Sequence, residues 1–298
     1  MAGNNKTCVL CKEMIKIGEY IKSPINYVGG KYRIISQLIP LFPVKINTFV
    51  DVFGGSGTVL LNAKAEHYIY NDINTYLAEM FEGIISQSAQ DTINQVHSLI
   101  SQYHLSPTDK SGFEKLRADY NNGHKEWIVL YTLMCHSFNW QIRFNNKHQY
   151  NSSWGKERSY FTTRQQRSLI ELKQRLSADV VVMNKNFIDI DFSDFNETDF
   201  VYFDAPYFNS IGSYNDGKRG FEGWTAEHEV RLLELADWLN DKGVRFGMSN
   251  NLKYDNPYLS EWLDKHNYKV NYLNTNYSNC NYHKIDKSKD CEVLITNY

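Results

Sequence analysis

Two short apolar segments near the start of the chain each contain one acid, and each is followed by a pattern typical of a helix. The first, TFVDVF at residues 48–53, is broken by GGSG before TVLLNAKA resumes as a predicted helix. The second, HYIYNDIN at residues 67–74, ends on Asp72 and leads into TYLAEMFEGIIS, which has helical spacing. This strand–helix–strand–helix order predicts a parallel sheet covered by helices, and therefore an α/β fold.

The sheet pattern returns after a long interruption. Helical segments alternate with polar, aromatic stretches between about residues 86 and 177, which favours an inserted domain. Residues 31–41 also show helical spacing, and the pair YKVNYLNTNY and CEVLITNY predicts a hairpin at a sheet edge. Further strands are predicted at 179–187, 200–204 and 244–250. We therefore predict an extension at residues 1–20, a sheet domain formed by 21–85 and 178–298, and an insertion at 86–177.

Composition limits the class of protein. The 298 residues are 42% hydrophobic and 22% charged, which is typical of a soluble globular protein. No apolar run approaches the roughly 20 residues that a bilayer span needs. The N-terminal residues lack an apolar core of signal-peptide length. We therefore expect a cytoplasmic protein without a membrane partner.

Charge is distributed unevenly along the chain. The net charge of −2 argues against a protein that is basic throughout. Residues 141–175, however, hold eight Lys or Arg against two Glu, an excess of six positive charges. Such an excess attracts phosphates. A solvated helix face explains it equally well, so charge alone leaves both interpretations open.

The five cysteines form no disulfide pattern. Cys8 and Cys11 have C-x-x-C spacing, and Cys280 and His283 repeat that spacing far along the chain. A zinc site built from these four residues is one interpretation. We favour reduced thiols without a metal, because one pair of each kind is a weak signal.

The glycines of GGSG, at residues 54–57, permit a ligand to approach the backbone at the carboxyl end of the first strand. A dinucleotide fingerprint needs glycine at position 60, which is Leu60, so an NAD-linked oxidoreductase is disfavoured. A nucleoside without a pyrophosphate does not need that glycine, and Asp72 can accept hydrogen bonds from its ribose. In INYVGGKYR, residues 25–33, Lys31 begins a predicted helix and can reach a ligand carboxylate.

The segment FVYFDAPY, residues 200–207, ends a predicted buried strand on Asp204. Pro206 restrains Ala205 toward extended geometry, which fixes the direction of its carbonyl, and Tyr207 supplies a flat ring. The carboxylate and a main-chain carbonyl can then accept both protons of an exocyclic amine on a planar substrate. Both bonds localise the nitrogen lone pair for attack.

Taken in order, KSPINYVGGKYR, FVDVFGGSG, YNDIN and D-x-P-Y resemble the Dam-type DNA adenine-N6 methyltransferases in their alpha arrangement. The resemblance covers nearly the whole chain after about residue 21. It implies a Rossmann-like methyltransferase sheet that uses S-adenosyl-L-methionine, with residues 86–177 as a mainly helical target-recognition domain. It implies methyl transfer to N6 of a flipped adenine in duplex DNA, by a monomer or weak dimer, and leaves a cognate restriction endonuclease open as a partner.

The resemblance also implies the site residues. The target adenine would be held by Asp204, Ala205, Pro206 and Tyr207. S-adenosyl-L-methionine would be bound by Tyr27, Gly29, Gly30, Lys31, Asp51, Phe53, Gly54, Gly55, Gly57, Asp72, Asn186 and Phe187, with no metal. DNA would be contacted by Arg143, Asn145, Asn151, Trp154, Lys156 and Arg158, which are types that suit phosphate and base-edge contacts.

The chain departs from the family pattern at three positions. Ala205 stands where the family has proline, Asn186 where it usually has an acid, and Tyr27 where tryptophan is frequent. Alanine keeps the carbonyl but loosens the backbone, so a catalytically silent protein that binds DNA and cofactor is one alternative. Methylation of RNA, a protein glutamine or a small molecule is another, although the basic insertion favours duplex DNA.

Overall fold

A central sheet organises the computed structural model, which describes residues 19–145, 147–176, 179–209, 223–273 and 291–298. The strands run in chain order through both halves of the molecule. They are β1 (Thr48–Asp51), β2 (His67–Asn71), β3 (Val180–Met183), β4 (Phe200–Phe203), β5 (Arg245–Asn251), β6 (Lys269–Leu273) and β7 (Glu292–Thr296).

The strand order across the sheet is β3-β2-β1-β4-β5-β7-β6. Strands β1 to β5 pair in parallel, whereas β7 runs antiparallel between β5 and β6. The predicted antiparallel pair at the end of the chain is confirmed, but β7 lies inside the sheet and β6 alone of that pair lies at the edge. Strand β1 lies between β2 and β4, where the strand order reverses, and sheets of this type bind ligands at the carboxyl ends of the strands there.

Helices cover the sheet, which confirms the predicted α/β class. None of them, within the described ranges, combines the length and apolarity that a membrane span requires. They are α1 (Ile35–Leu38), α2 (Thr58–Asn62), α3 (Thr75–Ser86), α4 (Ala89–Tyr103), α5 (Ser111–Asn121), α6 (Trp127–His136), α7 (Thr163–Arg175), α8 (Ala226–Asp241) and α9 (Pro257–Lys265).

The central strands β1 and β4 are buried on both faces, which explains why their sequences lack polar alternation. Phe49 and Phe200 contribute to one apolar core, while their neighbours Val50 and Val201 contribute to the other. Asp51 is the exception, because it ends β1 with only 1% of its surface exposed. A carboxyl group buried at this position is costly, so it points to a site at the carboxyl end of β1.

The segment 31–41 is not the single helix that its spacing predicts. It forms a 3-10 turn at Lys31–Arg33, the short helix α1, and a second 3-10 turn at Ile39–Leu41. Pro40 lies in the second turn and has no N–H to continue the α-helical hydrogen bonds. The apolar positions still face the core, because Ile35 and Leu38 are buried.

The predicted insertion appears as a helical layer in which α4 and α5 pack on α6, and α7 packs on α4. Helix α6 also packs on α3, where the Trp127 ring lies so close to Gly83 that an added Cβ would be 2.3 Å from it. Phe113 and Leu169 of the insertion share one apolar core with Leu60 beside the sheet. The layer is thus continuous with the sheet core, and the domain boundaries at residues 86 and 177 stay a prediction.

Glycines fix the turn between β1 and α2. Gly57 has φ 72°, in the left-handed region, and begins α2. A Cβ added to Gly54 would lie 2.3 Å from the Tyr70 ring. That ring is stacked on Phe81 with centroids 4.2 Å apart, so it has little room to retreat.

We expect Gly54→Ala to lower the free energy of unfolding by about 1–3 kcal/mol, because the new methyl group must displace the stacked Tyr70 ring. The matched control is Gly30→Ala in the same region, where the nearest atom would be 3.6 Å from the added Cβ. Its effect should stay within about 0.5 kcal/mol. Urea unfolding followed by circular dichroism measures both, and equal losses in the two variants would contradict the proposed packing constraint.

Candidate active site

A pocket opens at the carboxyl ends of β1 and β4, where the strand order predicts a ligand site. It is formed by three backbone segments and by the residues that follow β4. Most residues predicted to bind the cofactor line it. The lining residues are Tyr27, Val28, Gly29, Gly30, Lys31, Asp51, Phe53, Gly54, Gly55, Ser56, Thr58, Val59, Asp72, Ile73, Asn74, Asp204 and Pro206.

The glycine turn forms one wall of the pocket and is tied to β2. The Gly54 N–H donates to the Asn71 carbonyl at 2.7 Å, and the Gly57 N–H donates to the Gly54 carbonyl at 2.7 Å. The Tyr70 hydroxyl donates to the Gly55 carbonyl at 2.7 Å. These bonds hold the backbone in place before any ligand binds, and Gly57 thereby shapes the wall without lining it.

Asp72 joins the glycine turn to the start of α3. Its carboxylate accepts from the Gly55 N–H at 2.8 Å and from the Asn74 N–H at 2.7 Å. The Asn74 side chain in turn donates to the Tyr27 hydroxyl at 3.4 Å. A ribose contact at Asp72 stays a prediction.

Lys31 and Asp204 form a buried ion pair in the pocket. The Lys31 Nζ lies 2.6 Å from Asp204 Oδ1, and the lysine side chain is only 4% exposed. The ammonium group also donates to the Gly29 carbonyl at 3.2 Å and lies 3.6 Å from Glu292 Oε1. The lysine predicted to bind a ligand carboxylate therefore contacts the carboxylate predicted to bind the target amine.

Burial and charge act in opposite directions on this pair. Burial lowers the pKa of Lys31, but the charges of Asp204, Tyr207 and Glu292 together outweigh it, and the pKa is raised well above its ordinary value. Burial raises the pKa of Asp204 to about 6; Lys31 opposes this rise and Glu292 adds to it. Asp204 is thus ionised above pH 6, when it can accept hydrogen bonds through both oxygens.

Asp51 is a second buried carboxyl group in the pocket. Neither of its oxygens makes a hydrogen bond of good geometry with the described residues. Burial raises its pKa well above the ordinary value, the charges of Asp204 and Asp72 add to the rise, and the Leu60 N–H and Lys31 oppose it more weakly. A buried polar group without a firm partner favours a ligand that supplies one.

Tyr207 stands beside the ion pair and does not line the pocket itself. Its hydroxyl donates to the Glu292 carboxylate, and Lys31 Nζ lies 5.2 Å from its ring centroid. Ala205, two residues earlier, is 7% exposed and belongs to the apolar core on that side of the sheet. Of the four residues predicted to hold the target, Asp204 and Pro206 therefore line the pocket, whereas Ala205 is buried in the core. Tyr207 is held by the hydrogen bond from its hydroxyl to Glu292.

Asn186 and Phe187 lie at a 3-10 turn after β3. The Asn186 side chain accepts from the Ile188 N–H at 3.4 Å and so caps this turn. The Phe187 ring packs on Phe53 of the glycine turn at 5.5 Å and on Trp224 at 5.6 Å. The three rings form an apolar cluster in which Phe53 alone lines the pocket, and a cofactor contact by Asn186 or Phe187 stays a prediction.

The predicted DNA-binding residues lie on the insertion, away from the lining of the pocket. Phe144 and Tyr150 form a β-bridge and face the core, which places Arg143 and Asn151 opposite each other on the exposed side. The exposed members of the set are Arg143, Asn151, Lys156 and Arg158. These four are available to a large ligand such as DNA, and the contact itself stays a prediction.

Two members of that set have structural roles. The side-chain oxygen of Asn145, Oδ1, accepts from the Lys147 N–H at 2.9 Å and from the Gln149 N–H at 3.1 Å. Trp154 is half-buried and packs against the apolar core of the insertion. Direct DNA contact by Asn145 or Trp154 therefore competes with bonds and packing that the fold already uses.

Sequence reasoning missed Glu292 and Trp224. Glu292 is 1% exposed and directly precedes the apolar residues of β7, a signal that could have marked it as a residue with a buried polar partner. Trp224 joins the ring cluster beside Phe53, and nothing in the adjacent sequence indicates this.

No metal centre is evident in the part of the chain that the structure describes. No group of three or more His, Cys, Asp or Glu residues there has an arrangement that could hold a metal ion. The zinc interpretation rests on Cys8, Cys11, Cys280 and His283, all of which lie outside the described residues.

Comparison with known proteins agrees with this geometry. Residues 27–279 match the family model for D12 class N6 adenine-specific DNA methyltransferases. The modification methylase StsI of Streptococcus sanguinis is 41% identical over 284 residues, covering 94% of this chain and 43% of that protein. The type II methyltransferase M.FokI of Planomicrobium okeanokoites is 42% identical over 287 residues, covering 95% and 44%. The DNA adenine methylase of Escherichia coli K12 is 21% identical over 250 residues, covering 81% and 84%.

The chain spans less than half the length of the StsI and M.FokI proteins, although nearly all of it aligns with them. The matched region contains every residue that lines the pocket, whereas Glu292, which lies near Lys31, is 13 residues beyond the match. The family implies a methyl donor and a DNA substrate. The resemblance that the motifs indicate is therefore confirmed, and the chain belongs to the D12 class of N6 adenine-specific DNA methyltransferases.

Proposed function

We propose that this chain itself transfers a methyl group from S-adenosylmethionine to N6 of adenine in a specific duplex DNA sequence. The observation that carries the proposal is Asp204, a carboxylate at the carboxyl end of β4 that lines the pocket and pairs with Lys31. Because its pKa is about 6, Asp204 is ionised at neutral pH and can accept a hydrogen bond from an amine N–H.

The pocket residues suit S-adenosylmethionine, which supplies an electrophilic methyl group on a positively charged sulfonium when bound. Gly54 and Gly55 leave the backbone accessible beside the nucleoside position, and Asp72 lines the pocket with a carboxylate, the group that suits ribose hydroxyls. Asp51 offers a buried carboxyl group without a firm partner, which suits the amino group of the methionine part. Lys31 offers an ammonium group for its carboxylate.

The residues after β4 suit the amino group of an adenine. The Asp204 carboxylate accepts a hydrogen bond from one N–H of this amine, and the main-chain carbonyl of Ala205 accepts a hydrogen bond from the other. Asp204 then stabilises the positive charge that develops on nitrogen, while the site aligns the reacting groups. Because N6 lies inside the base stack, the adenine must leave the duplex, which costs a few kcal/mol, and stacking on Tyr207 offsets part of this.

The exposed side of the insertion suits a DNA backbone. Arg143, Lys156 and Arg158 are exposed on it, within the segment that carries six excess positive charges. Such residues supply the salt-dependent part of DNA affinity, and Asn151 beside Arg143 can read a base edge. The sequence that is recognised depends on how this surface meets the major groove.

The names of the StsI and M.FokI proteins suggest the biological role. Those proteins are called a modification methylase and a type II methyltransferase. We extend this to the present chain as a component that protects host DNA from a cognate restriction endonuclease, working in the cytoplasm as a monomer or weak dimer. This role depends on the activity proposed above.

The test is to express the chain in a host that lacks adenine methylation and to sequence modified bases in the host DNA. We expect N6-methyladenine at one defined sequence. Asp204→Asn should abolish it, because an amide cannot stabilise the positive nitrogen as a carboxylate does. Asp194→Asn is the matched control, because Asp194 is exposed and should leave methylation intact. Absence of methylation with a folded, soluble wild-type chain would overturn the proposal.

Ala205, in place of the family's proline, favours one alternative function, a catalytically silent protein that binds DNA and cofactor. A substitution at this position distinguishes that alternative from the proposed methyl transfer. Ala205→Pro should raise kcat/KM about two- to fivefold, because a proline ring restricts the backbone by about 0.4–1 kcal/mol. Ala205→Gly should lower it, because glycine loosens the same backbone. Single-turnover transfer of labelled methyl groups to a duplex measures both. Activity that appears only with proline would support the silent protein, and equal losses in both variants would refute the backbone argument.

A further inference from the structure

Glu292 is a carboxylate in a position where an apolar residue would be expected. It is the first residue of β7, whose five residues are all buried, and it is itself 1% exposed. A charge removed from water in this way costs several kcal/mol unless its partners compensate for it. The partners of Glu292 therefore indicate what the residue is for.

Three groups from different parts of the chain meet this carboxylate. The Tyr207 hydroxyl donates to Oε1, and Lys31 Nζ lies 3.6 Å from the same oxygen. The Asn251 side chain donates to Oε2 at 3.3 Å, from the position directly opposite in strand β5. Glu292 thus connects the paired strands β5 and β7 to Tyr207 and to the pocket residue Lys31.

We infer that Glu292 is a positioning residue for methyl transfer, which holds the Tyr207 ring by its hydroxyl and places Lys31 between two carboxylates. The inference rests on the proposed function and adds a residue to it that no motif indicates. Its two effects are separable, since one depends on a hydrogen bond and the other on charge.

The first effect concerns the ring. Tyr207 follows Pro206, which restrains the backbone on one side, and the hydrogen bond to Glu292 restrains the far end of the side chain. A ring fixed at both ends keeps one orientation for stacking on an extruded base. Without the hydroxyl contact the ring can rotate, and alignment of the reacting groups suffers.

The second effect concerns Asp204. Lys31 faces this carboxylate from the 3-10 turn, Glu292 from β7, Tyr202 from β4, Tyr207 from the loop after β4, and Asp51 from β1. Burial and the charge of Glu292 raise the pKa of Asp204, while Lys31 lowers it, with a result of about 6. Removal of the negative charge at position 292 should therefore lower the pKa of Asp204, so that it stays ionised to lower pH.

The experiment compares Glu292→Gln with the wild-type chain by two readouts. Carbon-13 NMR of labelled aspartate carboxyl groups, assigned with Asp204→Asn, follows the titration of Asp204 without any methyl transfer. The pH profile of kcat/KM follows the same group during turnover, with an acid limb near pH 6 in the wild-type chain. We expect both midpoints to move to lower pH in Glu292→Gln, and kcat to fall up to roughly tenfold, because the Tyr207 hydroxyl then donates to a neutral amide oxygen and not to a carboxylate.

Two further variants separate positioning from general destabilisation. Glu229→Gln makes the same change at another buried glutamate, which is bonded by Trp224 and Asn256, and should lower stability without moving the Asp204 midpoint. Tyr207→Phe removes the hydrogen bond that Glu292→Gln weakens, and it keeps the ring. Addition of Glu292→Gln to Tyr207→Phe should lower kcat little further, while the midpoint still moves to lower pH.

The outcomes are distinguishable from those of the proposed function. If the wild-type chain transfers no methyl group, the proposed function fails, and the NMR midpoint still tests the electrostatic contact. If Glu292 serves folding alone, its loss should loosen Lys31 from Asp204 and move the midpoint to higher pH. A midpoint that rises or stays fixed, or full additivity of the two losses in kcat, would overturn the inference.

Discussion

The buried ion pair between Lys31 and Asp204 is the contact on which the geometry of the pocket depends. It joins the turn before α1 to the carboxyl end of β4, with 2.6 Å between the charged atoms. Removal of one partner from such a pair leaves an uncompensated buried charge, which typically costs about 3–5 kcal/mol. An ion pair as well as packing therefore holds the two segments together. Movement of either segment would leave the buried charge on the other without its partner.

The charge around this pair is unbalanced in a direction that suits the proposed cofactor. One ammonium group, on Lys31, faces the carboxylates of Asp204 and Glu292, and the carboxyl group of Asp51 is buried close by. A pocket with more acids than cations attracts a ligand that carries a positive group. In the proposed reaction the sulfonium charge disappears as the methyl group leaves, so the same electrostatics would hold the substrate form of the cofactor more tightly than the product form.

Local sequence was enough to predict those parts of the site that directly follow a parallel strand along the chain. A glycine turn after a buried strand, an acid after the next strand and the segment after β4 all converge because parallel strands place their carboxyl ends at one edge. Glu292 was missed because its role depends on β7 running antiparallel beside β5, a pairing between residues far apart in sequence. The segment 31–41 was predicted as one helix because apolar spacing outweighed the effect of Pro40.

The insertion and the pocket are connected through a short path of direct contacts. The Asn26 side chain, in the segment that carries Lys31, donates to the carbonyls of Asn139 and Trp140 at 3.0 and 3.3 Å. Helix α6 of the insertion packs on α3, and α3 begins at the Asn74 turn that binds Asp72. A shift of the insertion, as on binding the proposed DNA substrate, would therefore act on both walls of the pocket at once. A helical layer that shares its core with the sheet can transmit such a shift, whereas one attached by a flexible linker could not.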